Sequence, residues 1–311
     1  NVYRHALLCD SLHNLPDVKG RVKPKYASSI AEKLTSYRSN LKSAGKYYYK
    51  KQNYAEAYKM FDLVMQTRHH QRIRQGKNPT VDTDSLELSR LAAMAAFRQN
   101  EYGKTMNYLP MALTDTVNRS YLYQIGSQSL MQTGDSVTAL NYLYEGWKTD
   151  PSNEYFYLTL LRYYSDRKDY QTAYDVVTSQ LQNDSLNARL WYIKGKNEEC
   201  LGRMNDALAS YSRSITLNPD APQPYSSIGQ IHVGLAQVVF ESNTAKVGTQ
   251  AYLRMKRLQK DHYVEARKAL EHARQLAPEK PEMWYDNLRE VYYKLNLGRE
   301  LKTLEKSAVK K

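Results

Sequence analysis

Two cysteines in 311 residues, Cys9 and Cys200, are too few for a disulfide framework or a cysteine-built zinc site. No run of about 18 apolar residues occurs anywhere, so the sequence offers no membrane-spanning helix. Sustained two-residue alternation is missing as well, which leaves little room for strands, while apolar residues recur at three and four as they do on helices. There is no HExxH, no GxSxG and no glycine-rich phosphate loop. His232, His262 and His272 are scattered along the sequence, and His232 is expected to be a packed helix residue. His69 and His70 are adjacent, but neighbours point in different directions and no third ligand is near, so no metal is expected there. Catalysis and cofactors are therefore not expected.

What the chain has in quantity is tyrosine, 28 residues against 4 phenylalanines, and a repeat. Thr105, Ala139, Ala173 and Ala207 lie on a ladder with a step of 34 residues, each four positions before Leu109, Leu143, Val177 or Tyr211. A unit of that length cannot bury its own apolar face, so copies must stack, and a stack presents its function on a surface. With 41% hydrophobic residues the chain can supply a continuous core without dividing into globular domains.

The unit resembles the tetratricopeptide repeat, a helix, turn, helix module. One copy carries Trp191, Gly195, Ala207, Tyr211 and Pro219; others carry Gly45, Tyr48, Tyr54, Ala57 and Phe61, or Tyr123, Gly126, Ala139, Leu143 and Pro151. Small residues at the crossing keep helix axes within about 8–10 Å while aromatics fill the grooves between ridges. The resemblance implies an all-α, right-handed α-solenoid of about seven units at 38–71, 86–119, 120–153, 154–187, 188–221, 222–280 and 281–311. Residues 1–37 are expected to hold N-terminal helices, the first of which could be half of an upstream repeat, with a helix starting near Pro24 and running through Ile30, Leu34 and Tyr37 into the first unit. Glu300 stands at the crossing position of the last unit, as suits a terminal element with water on one side.

Two insertions break the period. Ala57 to Thr105 spans 48 residues, and the surplus falls in a basic segment with His69, His70, Arg72, Arg74, Lys77 and Pro79, either a solvated connector or an anion-binding loop. Ala207 to Ala266 spans 59, and the 25 residues beyond the period, which lie between the two helices of the sixth unit, contain no proline. The helical rhythm continues through it, predicting two lengthened helices and a turn near Ser242 to Gly248, a spur of about 18 Å. Its return helix carries Arg254, Arg257 and Lys260, which would either face water or dock an acidic partner.

The net charge of +13 is uneven: residues 1–85 hold 16 basic and 7 acidic groups (+9), residues 86–243 hold 13 and 16 (−3), and residues 244–311 hold 16 and 9 (+7). A protein tracking a phosphate backbone would carry positive charge continuously, so nucleic-acid binding through the basic ends is the alternative reading. In proteins of the resembled family the groove is lined by the first helix of each unit. That implies Lys42, Lys46, Tyr49, Arg90, Tyr121, Gln124 and Gln128, followed by Arg162, Arg189, Tyr192, Lys196 and Arg289. Such a surface suits an extended or helical acidic peptide, and a non-catalytic interaction scaffold is the expectation. The family's carboxylate clamp is not expected, because Lys46 stands where its first Asn would be. The start at Asn1 and the tyrosine content favour an exported, periplasmic bacterial location over the cytoplasm.

Overall fold

The three-and-four periodicity resolves into helices. The computed structural model describes residues 2–22, 26–74 and 84–308, and no strand occurs among the described residues. The chain divides into two compact units, Asn1–Phe156 and Tyr157–Lys311.

In the first unit α1 (Val2–His13) precedes the hairpin of α2 (Ala27–Lys50) and α3 (Tyr54–Gln66). Then come α4 (Gln71–Arg74), the hairpin of α5 (Ser85–Phe97) and α6 (Tyr102–Ala112), and that of α7 (Arg119–Thr133) and α8 (Ser136–Thr149). Helix α2 runs unbroken past position 37, so the N-terminal segment and the first hairpin share one helix; the expected start at Pro24 lies outside the described residues. The segment after α3 differs from a free basic loop. Ile73 of α4 is buried with Tyr3, Ile30 and Leu34, and the Tyr3 and Thr67 hydroxyls are 2.9 Å apart. Lys77 and Pro79 lie outside the described residues.

Helix α9 (Glu154–Asp166) begins in the first unit and ends in the second. There it precedes α10 (Tyr170–Asn183), the hairpin of α11 (Ala188–Cys200) and α12 (Met204–Leu217), and that of α13 (Pro222–Glu241) and α14 (Gln250–Leu276). A 3₁₀ turn at Pro281–Met283 leads to α15 (Tyr285–Lys294) and α16 (Gly298–Ala308). Helices α13 and α14, at 20 and 27 residues, are the lengthened pair.

Every small residue on the ladder has no exposed surface: Ala57, Thr105, Ala139, Ala173, Ala207 and Ala266. The turns inside the hairpins share one device. Gln52, Asn100, Gly134, Lys168, Gly202 and Asn296 all have φ between 57° and 88°. In each case the next residue's N–H donates back five positions, as from Asp135 to Leu130 (2.9 Å) and from Arg203 to Glu198 (2.8 Å). A left-handed residue there satisfies carbonyls that the helix end would leave open. At three of these turns the returning helix is also capped by a side chain: Asp135 accepts from the Thr138 N–H, Asp169 from the Thr172 N–H, and Asn53 from the Glu56 N–H, whereas Glu101 and Arg203 make no such bond. Glu300 is half-buried on α16, a helix whose Leu304 is fully buried.

Candidate peptide-binding surface

The first helix of each hairpin carries the polar side chains proposed to meet a partner, and in the first unit three of its cations are already engaged. Lys42 on α2 donates to Asp84 at the start of α5 (3.2 Å), and Lys46 donates to Glu87 in the first turn of that helix (2.7 Å). Arg90 on α5 donates to Asp115 ahead of α7 (2.9 Å). Each pair joins a cation on one hairpin to an acidic group at the N-terminal end of the next. Negative charge is favourable at that end of a helix, and a cation stacked beside it finds the carboxylate in place. These cations tie neighbouring hairpins together.

Tyr49, Tyr121, Gln124 and Gln128 are half-buried in the same unit. The Tyr49 phenol is held above its ordinary range, mainly by burial, with Tyr54 and Tyr121 next in effect. The Tyr49 and Tyr54 rings meet edge to face at 5.4 Å. Tyr155 places its hydroxyl 3.1 Å from that of Ser127. Phenols and amides here offer hydrogen bonds to a backbone without a net charge.

In the second unit Arg162 on α9, Arg189 on α11 and Arg289 on α15 are exposed, and none forms an ion pair among the described residues. Lys196 differs, since it donates to Glu199 at 3.0 Å. Glu199 also accepts from the buried Tyr211 hydroxyl at 2.7 Å, whose phenol is held well above its ordinary range by burial first and this hydrogen bond second. Tyr192 packs against Tyr211 with ring centroids 5.7 Å apart. One residue earlier Glu198 is fully buried and accepts from Lys194 (2.5 Å) and the Ser210 hydroxyl (2.6 Å). Charge on α11 is thus largely internal, and Arg189 at its first turn is the part left facing water.

The spur has the expected form: α13 continues to Glu241 and α14 begins at Gln250. Arg254, Arg257 and Lys260 are exposed along it, and so are Val238, Phe240, Val247, Leu253 and Leu258, an apolar set that charge counting overlooks. His232 and His262 do not stay apart as their sequence positions suggest. Their Nδ1 atoms are 3.1 Å apart across the hairpin, and His232 is lowered below its ordinary 6.5 by burial first and by His262 second, with Glu265 opposing. No group of three or more His, Cys, Asp or Glu residues capable of holding a metal occurs among the described residues.

No family model and no curated protein matches the sequence. Among solved structures, the C-terminal part of a TPR repeat-containing protein from Cytophaga hutchinsonii is similar at TM-score 0.54 and 15% identity, over 86% of this chain and 92% of that one. A TPR repeats protein from Bacteroides fragilis matches over 82% of this chain and 98% of its own, at 17% identity and TM-score 0.36. MamA from Desulfovibrio magneticus matches over 62% and 97%, at 16% identity and TM-score 0.40. The first of these likenesses shows the fold alone: the chain is all-α and folds like that TPR repeat-containing protein. The other two are too distant in shape to add to it.

Proposed function

We propose that the protein is a non-catalytic scaffold for protein–protein interaction, binding an extended or helical acidic peptide along the first helices of its hairpins. The observation that carries this reading is the set of Arg162, Arg189 and Arg289, exposed on α9, α11 and α15 without an internal carboxylate. Arginine grips a carboxylate through two parallel hydrogen bonds, and an unpaired one is free to do so. Tyr49, Tyr121, Gln124 and Gln128 would serve a peptide backbone in the first unit. Arg254, Arg257 and Lys260 on the spur form a second contact for an acidic partner.

The test is fluorescence anisotropy with labelled acidic peptides, and with mixed-sequence DNA and RNA, at near-physiological salt. Arg162→Glu with Arg189→Glu is expected to weaken peptide binding at least about tenfold while leaving the unfolding midpoint in place. Nucleic-acid binding tighter than about micromolar, with a steep salt dependence, would move the assignment to the basic ends instead.

A further inference from the structure

Helices α13 and α14 are long, and the hairpin stacked on them is short: α15 has 10 residues and α16 has 11. Glu290 of α15 accepts from Gln237 of α13 at 3.2 Å and lies 3.5 Å from the Tyr263 hydroxyl of α14, which fixes where the two hairpins meet. One turn beyond that contact α15 ends. Asn296, at φ 57°, reverses the chain, so the long hairpin overhangs the α15–α16 turn as a ledge.

A cavity of about 370 Å³ lies under this ledge. Lys256 and Lys260 from α14 and Lys294 from the end of α15 supply its charge, while Phe240, Tyr263 and Leu295 supply apolar wall. No carboxylate lines it among the described residues, and none of the three lysines forms an ion pair there. Lys256 lies 5.6 Å from the centre of the Phe240 ring, and its Nζ is 3.5 Å from the Gln259 amide oxygen. Three like charges converging on one concavity repel one another, and a ligand with negative charge relieves that repulsion.

We propose that this ledge is a binding site for an acidic peptide segment in which a carboxylate sits beside an aromatic or aliphatic side chain. The proposal rests on the spur being a protein-docking element and specifies what that element takes. Lysine supplies point charges without the bidentate geometry that selects a planar anion, so selectivity comes from the apolar wall beside them. A bare anion such as phosphate would leave that wall uncovered. A bilayer is flat on the scale of the cavity and could touch its rim but not its floor.

The experiment measures anisotropy of a labelled synthetic peptide in which Glu alternates with Phe and Leu, using the whole chain. A labelled all-Glu peptide, inorganic phosphate as competitor and phosphatidylserine-containing vesicles are run beside it. Four variants are compared: Lys256→Glu with Lys294→Glu, Phe240→Ala, Arg254→Glu with Arg257→Glu, and Arg162→Glu with Arg189→Glu. All these positions are exposed, and an unchanged unfolding midpoint confirms that each variant folds. The expected result is a loss of about tenfold or more in the lysine variant. Phe240→Ala is expected to remove the preference for the mixed peptide over the all-Glu one, whereas the other two variants, which change contacts proposed for any acidic peptide, are expected to weaken both peptides alike and to leave that preference in place. Unchanged binding in the lysine variant overturns the ledge site. Loss in the Arg254 and Arg257 variant alone then keeps the spur as a docking element, and loss in the Arg162 and Arg189 variant alone keeps the groove reading. Vesicle binding that outcompetes the peptide and depends on the same lysines also overturns it, in favour of a membrane.

Discussion

Gly195 lies against the ring of Tyr211, so close that a Cβ at Gly195 would stand 2.6 Å from Cε1 of the tyrosine. The same contact joins Gly45 to Phe61 and Gly126 to Tyr142, always 16 residues apart. In the spur hairpin Gly229 meets Leu270, 41 residues on, which is that 16 plus the 25 residues of the insertion. The insertion therefore lengthens both helices without shifting the crossing where they pack. Gly195→Ala is expected to destabilise the protein by about 1–3 kcal/mol, because a fully buried Tyr211 has no room to give. Gly103→Ala on α6, where nothing lies within 4 Å, is expected to be neutral or to stabilise by up to about 1 kcal/mol. Urea unfolding of the two variants side by side checks both.

The left-handed turns give an independent handle on stability. Lys168 and Gly202 occupy equivalent places between paired helices, at φ 60° and 76°. A side chain costs about 1–2 kcal/mol in that conformation, partly offset by the greater freedom of glycine in the unfolded chain. Lys168→Gly is expected to raise stability by up to about 1 kcal/mol, and Gly202→Ala to lower it by about 1 kcal/mol although its Cβ would meet open space. Equal and opposite shifts in the thermal midpoint would show that backbone conformation, not packing, decides these positions.

The crossings were legible in the sequence because one small residue per 34 positions is a packing requirement, and packing repeats with the fold. The turns were legible only where glycine marks them, at Gly134 and Gly202; Gln52 and Lys168 adopt the same conformation because the hydrogen bonds around them impose it. The sequence does not reveal that Lys42, Lys46 and Arg90 find carboxylates on the next hairpin. Pairing of that kind depends on side-chain reach between stacked helices, which spacing rules do not carry. The ledge under the spur was hidden for another reason: it arises from a difference in length between two neighbouring hairpins, and Lys294 joins Lys256 only through that step. The histidine pair could have been found. Folding the spur back about its turn near position 247 sets 232 opposite 262.

Register can be challenged directly at Ala173. Its side chain is fully buried on α10, and the ladder assigns it to a helix crossing. Ala173→Arg forces a long side chain and a charge into that space, with a cost expected to exceed about 3 kcal/mol. Ala173→Ser, which adds one small polar atom, should cost appreciably less. Equal denaturant midpoints for the parent and the arginine variant would remove the crossing assignment.

The His232 and His262 pair makes stability depend on pH in a defined direction. Burial and the facing imidazole of His262 lower His232 below 6.5, and Glu265 only partly offsets them. Below 6.5 the unfolded chain takes up a proton on His232 that the folded protein resists, so acid favours unfolding. The stabilisation is present in full above the ordinary imidazole value and is lost as pH falls through it toward the lowered one. His232→Gln keeps a hydrogen-bonding side chain toward His262 but cannot be protonated in this range. The parent is therefore expected to lose more of its thermal midpoint than the variant between about pH 7.5 and about pH 5.5. Parallel pH profiles for the two proteins would show that the imidazole pair, 3.1 Å apart in the folded chain, does not contribute to acid sensitivity.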